Sequence, residues 1–376
     1  MKKIVFLTGT RADFGKIKSL IHAVEQAEGF SPYVFVTGMH LQQEYGYTLV
    51  EIQRCGFSSV HTFENHTHEA TMDLTLAKTI QGFSAYCQEV KPDLIVVHGD
   101  RVETMAGAMV GALNNILVAH IEGGELSGTV DELIRHSVSK LAHLHFVSNE
   151  QAQNRLLQMG EVPESVFVIG SPDFDIMVSP NLPSLEEVKS YYDIGFSTYS
   201  IAMFHPITTE VNDMARYAES FVAALLQSDR SYVVIYPNND LGSQYIIDAY
   251  RKHLQDHPRF RVFPSLRFEY FLTLLKHAEL MVGNSSAGIR EAPFYGIPVI
   301  NIGTRQSNRS QNECIENVDY MAANILAALQ QNWSKFPADT AGEFGQGSSD
   351  DLFMQALQSP KLWAINHQKQ FRDWTI

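Results

Sequence analysis

The sequence predicts an α/β protein of two Rossmann-like domains facing a central cleft, and three observations carry that expectation. Its 376 residues exceed what one ordinary hydrophobic core organises, so two domains are the default. A unit of short β-branched run, Gly- or Asn-bearing loop and amphipathic helix recurs along the chain. Two series of such units are separated by a stretch in which Pro172, Pro180 and Pro183 interrupt the periodicity.

The first series opens with "KIVFLTG", followed by a helix that puts Ile17, Leu20, Ile21 and Val24 on one face. "PYVFVTG", "DLIVVHG", "ILVAHIEGG", "HLHFVS" and "VFVIG" continue it as strands. Nearly continuous apolar strands alternating with helices indicate a parallel sheet covered on both faces. Residues 171–200 read as the linker, after which "SIAMFHP", "YVVIYPNND", "FRVFPS", "LMVGNSS" and "PVINIG" form a second sheet. The expected division is residues 1–180, 181–358 and a C-terminal segment, 359–376. That segment, "PKLWAINHQKQFRDWTI" with the residue before it, reads as a helix with aromatic anchors packing back on the first domain. Ligands of such sheets collect at the carboxyl ends of the strands, which gathers the following loops around one cavity.

Composition narrows the class. A formal net charge of -14 disfavours a nucleic-acid groove or an anionic membrane surface, since both reward clustered Lys and Arg. No apolar run approaches a membrane span, and the apolar run of "MKKIVFLTGTRADFG" ends too soon for a signal peptide. Cys55, Cys87 and Cys314 are too few and too scattered for a disulfide framework, so a cytoplasmic protein is expected.

The chemistry-bearing loops follow the strands. In "VVHGDR", Asp100 stands just past a strand end, where it projects into the cleft or caps the next helix. In "HIEGGELSGTVDELIRH", Glu122 holds the equivalent place. Gly123, Gly124 and Gly128 give that loop unusual backbone freedom and leave room for a ligand. Thr129 and Glu132 have the spacing of a capping box. Asp131 either pairs with Arg135 four residues on or serves as a working acid or base at the cavity mouth. Asp100, Glu122 and Asp131 in one cleft repel, which raises at least one pKa and provides an acid beside a base.

His40, His98, His120, His136, His143 and His145 lack metal-ligand spacing, so no metal is expected. In the second half, the loop Asn284 to Gly288 opens a helix whose free N–H groups suit a phosphate, with Glu291 placed to take ribose hydroxyls. Neither a P-loop nor a GxGxxG fingerprint occurs, and no cofactor is expected. Arg11, His205 and the Ser285–Ser286 loop would hold a diphosphate, beside Asn238 at a neighbouring strand end.

Read in order, "GTRADFGK", "TGMH", "HGDR", "HIEGGELSGTVDELIRH", "GSPD", "MFHPITTE", "YPNND", "GNSSAGIREAP" and "GTRQSNR" span nearly the whole chain. On these motifs the sequence resembles the hydrolysing UDP-N-acetylglucosamine 2-epimerases, the bacterial sialic-acid branch of the UDP-sugar 2-epimerases. The resemblance implies a GT-B-like, glycosyltransferase type of two-domain fold. It implies Asp100, Glu122 and Asp131 as catalytic carboxylates, with His205 stabilising the leaving group. It matches Arg11, Arg101, His205, Asn238, Phe271, Ser285, Ser286, Glu291 and Arg305 to nucleotide contacts, with Gly288 in the same loop. Lys16 and His40 match sugar-side positions. The non-hydrolysing branch has "GTRPE" where this chain reads "GTRADFG".

The implied reaction converts UDP-N-acetylglucosamine and water to N-acetylmannosamine and UDP, through anti elimination to 2-acetamidoglucal and hydration, for sialic acid biosynthesis. A homo-oligomer, dimer or tetramer, is expected. The alternative is a sister group acting on UDP-2,4-diacetamido-2,4,6-trideoxyglucose for legionaminic acid, which "VGALNNILVAHIEGGE" and "FPSLRFEYF" resemble. A retaining glycosyltransferase or a nucleotide-sugar sensor would have no need of three cleft acids.

Overall fold

The computed structural model describes every residue except 67–70, 128, 308, 310–311, 339–343, 346 and 374–376. Strands β1 (Lys2–Thr8), β2 (Phe30–Val36), β3 (Val60–Thr62), β4 (Leu94–His98), β5 (Leu117–Ile121), β6 (Leu144–Val147) and β7 (Val166–Val168) form one parallel sheet. Its order is β3-β2-β1-β4-β5-β6-β7. Strands β8 (Ser200–Met203), β9 (Tyr232–Ile235), β10 (Phe260–Phe263), β11 (Met281–Gly283), β12 (Val299–Ile302) and β13 (Ile315–Val318) form a second, ordered β10-β9-β8-β11-β12-β13. Both are doubly wound α/β sheets. The two topological switch points fall between β1 and β4 and between β8 and β11.

Local sequence explains the elements that aim the loops. The Arg11–Gln26 helix begins in a capping box between Thr10 and Asp13, and its Ile17, Leu20, Ile21 and Val24 are fully buried. At the second switch point Gly283 has φ 137°, and a Cβ there would stand 1.8 Å from the Met203 carbonyl oxygen. Only glycine lets β11 turn this close to β8.

Several expectations change. β3 and β13 are additional edge strands. Within the stretch read as linker, residues 171–200, lie the helices Asp173–Met177 and Leu185–Tyr191. The return to the first domain comes at the Ser349–Gln358 helix, ahead of the expected 359. Its Phe353 packs on Phe6 and Phe146, with ring centroids 6.4 and 4.7 Å away. The C-terminal segment is helical only over Pro360–Trp363, and the chain then lies along the first domain, where Lys369 meets the carbonyls of Ser139 and Ala142. Two separate connections therefore join the domains. No helix among the described residues is long and apolar enough to cross a membrane.

Candidate active site

Loops from both switch points enclose one cavity of about 270 Å³ between the domains. From the first domain, Arg11, Lys16, Asp100, Arg101, Glu122 and Asp131 line it. From the second come His205, Asn238, Phe271, Ser285, Ser286, Glu291 and Arg305. Two expected site residues stand outside the lining. His40 is fully buried behind the wall, with Nδ1 2.7 Å from Thr48 Oγ1 and Nε2 3.0 Å from Thr8 Oγ1, so its ring ties loops together. Gly288 is a packing glycine, whose added Cβ would meet Val299 Cγ1 at 2.9 Å.

At one end the lining is cationic. The Asn238 N–H donates to His205 Nδ1 at 3.0 Å, so that nitrogen is unprotonated and the ring proton sits on Nε2. Burial, then Arg305 and Arg101, hold the His205 pKa well below its ordinary value. His205 is thus a neutral hydrogen-bond donor rather than a cation. Burial lowers Arg11 to about 10, which leaves it charged at neutral pH. The Ser285–Ser286 loop opens into a one-turn 3-10 segment, Ser286–Gly288, and the next helix, Glu291–Phe294, is only four residues long. The site there consists of N–H groups and side chains; the expected helix dipole is short. Glu291 is buried, with its pKa raised, and Oε2 has no hydrogen-bond partner among the described residues.

The three carboxylates occupy three different environments. Asp100 does not cap the helix that follows it, because it accepts hydrogen bonds from Arg135 and from Ser127 Oγ, the latter at 3.0 Å. Burial alone would raise it, but Arg135 and Arg309 hold it near a pKa of about 2. Arg135 is therefore turned towards Asp100 and does not pair with Asp131. Asp131 has Arg305 Nη2 at 3.6 Å, and burial and repulsion by Asp100 raise it to about 6. The two carboxyls of one cavity are thus set apart, one ionised at rest and so able to accept a proton, the other poised to carry one.

Glu122 follows β5 with φ 61°, a strained conformation costing on the order of 1–3 kcal/mol for a non-glycine residue. Arg290 grips both of its oxygens at 2.7 Å, while Ser171, Lys16 at 3.4 Å and His98 at 3.1 Å crowd the same group. Burial would raise its pKa, but these cations drive it well below the ordinary value. The neighbouring glycines leave no ligand space. A Cβ on Gly123 would meet the His120 ring at 2.8 Å, and one on Gly124 the Ala152 carbonyl at 2.3 Å. Gly128 lies outside the described residues. Thr129 caps the Val130–Leu141 helix through the Asp131 N–H, but Glu132 takes the Ser127 N–H, so the reciprocal box is not made.

The histidines mostly hold protein partners: His120 reaches Gly99 O and Ser139 Oγ, His145 reaches Glu161, and His143 binds the Val118 N–H. Charged groups that sequence reasoning missed are Arg290, Arg309, Asp173 and Glu125, together with the Asp100 partner of Arg135. Each stands inside a motif already singled out, Arg309 as the last residue of "GTRQSNR" and Asp173 as the last of "GSPD". Arg135 reaches Asp100 within the first domain, whereas Arg290 meets Glu122, Glu125 and Asp173, and Arg309 meets Glu125, across more than 100 positions. Arg101, too, crosses the cleft, to Asp240 at 2.8 Å and to Asn239 at 2.7 Å.

A family described as UDP-N-acetylglucosamine 2-epimerase matches residues 22–358. The chain is 49% identical over 379 residues to a UDP-N-acetylglucosamine 2-epimerase of Neisseria meningitidis serogroup B, covering 100% of both. It is 32% identical over 370 residues to a UDP-N,N'-diacetylbacillosamine 2-epimerase (hydrolyzing) of Legionella pneumophila, covering 96% of this chain and 97% of the other. Among solved structures, a UDP-GlcNAc 2-epimerase of Methanocaldococcus jannaschii in complex with UDP-GlcNAc and UDP superposes with a TM-score of 0.79. At 20% identity, covering 95% of this chain and 99% of that one, the likeness speaks to the shared fold alone.

Proposed function

The chain belongs to the UDP-N-acetylglucosamine 2-epimerase family, and from that premise we propose that it is the hydrolysing type, turning UDP-N-acetylglucosamine and water into N-acetylmannosamine and UDP. The observation that carries the proposal is the divergence of two carboxyls in one cavity, Asp100 held near about 2 and Asp131 raised to about 6. Inverting C2 through an alkene requires a base on one face and a proton donor on the other. The 49% identity to the Neisseria enzyme supports UDP-N-acetylglucosamine as the sugar nucleotide.

The diphosphate lies against Arg11, the Ser285–Ser286 N–H groups and His205 Nε2–H. These donors stabilise charge as the bond from C1 to the phosphate oxygen breaks. Asp100 takes the proton from C2, the C–H electron pair becomes the C1=C2 double bond, and UDP departs with the bonding pair of the C1–O bond. Asp131, protonated, returns a proton to the opposite face of C2 while the oxygen of water bonds to C1; water's surplus proton passes to the Asp131 carboxylate, and Asp100 loses its proton to solvent. Glu122 remains an anion and orders Arg290 and Lys16 beside the sugar. The free N-acetylmannosamine then enters sialic acid assembly.

Incubation with UDP-N-acetylglucosamine in deuterated water tests this reading. N-acetylmannosamine with deuterium at C2 is expected. Unlabelled product, or UDP-N-acetylmannosamine as the end product, rules out the hydrolysing elimination. Turnover of the diacetamido sugar nucleotide alone assigns the chain to the Legionella enzyme's substrate class.

A further inference from the structure

Behind the cavity wall, Glu125 is 5% exposed and takes no part in the lining. Ser148 Oγ donates to its Oε1 at 2.6 Å. Its Oε2 faces two guanidinium groups of the other domain, Arg290 Nη1 at 3.3 Å and Arg309 Nη2 at 3.6 Å. Arg309 is braced in turn: its Nη1 donates to Gln306 Oε1 at 2.9 Å, and Gln306 Nε2 donates to the Asn284 carbonyl at 2.9 Å. That links the Glu125 contact to the loop after β11, beside the diphosphate site. We propose that Glu125 is a positioning residue, the receptor of a protein-only latch that Arg290 and Arg309 close across the cleft.

The chemistry explains why such a latch is needed, and here the inference rests on the hydrolysing reading. Before elimination the substrate's diphosphate touches both domains and can itself hold them together. After the C1–O bond breaks, the sugar is a neutral glycal with no covalent tie to UDP. Domain opening at that moment would release it before water adds. A latch made only of side chains persists through the interval, because it needs no intact substrate.

Burial also makes it switch-like. In the open form Glu125 keeps Ser148 and gains water. In the closed form a desolvated carboxylate must have cationic partners, and losing one of them is strongly unfavourable. The contact is therefore worth most when the cleft is fully shut. Glu125 touches no reacting atom, so its role separates from that of the cavity acids.

The test uses the full chain with Glu125→Gln and, separately, Arg309→Gln. With UDP-N-acetylglucosamine as substrate, each variant should release free 2-acetamidoglucal at a level about tenfold or more above wild type, read from its vinyl proton by NMR. KM should change less than the rate of N-acetylmannosamine formation, and the double variant should leak no more than the worse single one. Small-angle scattering with saturating UDP gives a second readout: wild type compacts, whereas the variants stay nearer the unliganded dimensions. N-acetylmannosamine formed at the wild-type rate by both variants, with no added glycal and full UDP-induced compaction, overturns the latch. If Glu125→Gln does not fold, Arg309→Gln decides by the scattering comparison, since Arg309 also faces Asp100 and its effect on turnover is mixed. If wild type makes no N-acetylmannosamine, the functional reading has failed, and the scattering comparison still decides the latch.

Discussion

Glu122 and Asp131 stand nine residues apart, line the same cavity, and live in opposite electrostatic worlds. Glu122 has four close partners, three of them basic: Arg290, Lys16 and His98, with the Ser171 hydroxyl as the fourth. Asp131 has a single guanidinium at 3.6 Å and an anionic neighbour, Asp100. Proximity to a cavity therefore does not decide whether a carboxyl exchanges protons. The count of fixed cations does, because each opposite charge at contact distance favours the ionised form while burial disfavours it. One carboxylate is built into the frame, and the other is left free to change state.

The sharpest way to break this contrast is the same near-isosteric change at each acid. Asp131→Asn, and likewise Asp100→Asn, should lower turnover by about 10²–10⁴-fold, the usual range for a positioned general acid or base. UDP affinity, measured by calorimetry, should stay within a few fold. The fold should not suffer at Asp131. Its pKa is raised from about 3.9 in an unfolded chain to about 6, so stability from this site is complete below about pH 4 and lost as pH rises through about 6. Asn escapes that loss and should melt no lower than wild type at pH 8. An active Asp131→Asn enzyme would remove the acid from the mechanism.

Glu122→Gln should behave in the reverse manner. Replacing the anion leaves Arg290 and Lys16 buried with too little negative charge, and breaking such a pair costs about 3–5 kcal/mol. Urea denaturation should show that loss near pH 7, where wild-type Glu122 is fully ionised. A Glu122→Gln protein as stable as wild type would mean that the Arg290 clamp contributes nothing to the frame, and the contrast with Asp131 would collapse.

Much of this arrangement was legible in the sequence, for physical reasons. Eleven strands come from largely apolar runs, and a parallel sheet carries its loops at their carboxyl ends, so the sequence reading expects the loops with Asp100, Glu122, His205 and Ser285 around one cavity, and all four residues line it. β3, with two exposed residues in "VHT", and β13, "IENV", carry no such run and were missed as edge strands. Spacing misled at Asp131, where an i,i+4 pairing with Arg135 is geometrically possible, yet Arg135 meets the more strongly ionised Asp100. Glycine content misled beside Glu122, where the freed space is filled by His120 and the Ala152 carbonyl. The partners of Glu122 and Glu125 from the other domain are Arg290 and Arg309, and no local pattern reports a contact across a closed cleft. The amphipathic Ser349–Gln358 helix likewise shows an apolar face without revealing which sheet it covers.

The smallest expected effect sharpens the comparison most finely. Asp131 is faced by Arg305 at 3.6 Å and by Arg101 on the attractive side, and by Asp100 and Asp240 on the repulsive side, within a buried setting. Arg305 favours the ionised carboxylate. Its removal as Arg305→Gln should therefore raise the Asp131 pKa above about 6, by roughly one pH unit for the loss of one contact charge. Hydration of the glycal requires the protonated acid, so its rate falls as pH rises through that pKa. The alkaline limb should then move to higher pH in the variant. Hydration of supplied 2-acetamidoglucal in the presence of saturating UDP isolates the step, because a weaker nucleotide contact at Arg305 then affects occupancy rather than the limb. Arg305→Lys keeps the charge and should leave the limb near its wild-type position while still disturbing nucleotide affinity. A limb that moves to lower pH in Arg305→Gln, or moves equally in both variants, would show that the proton donated to C2 does not come from Asp131.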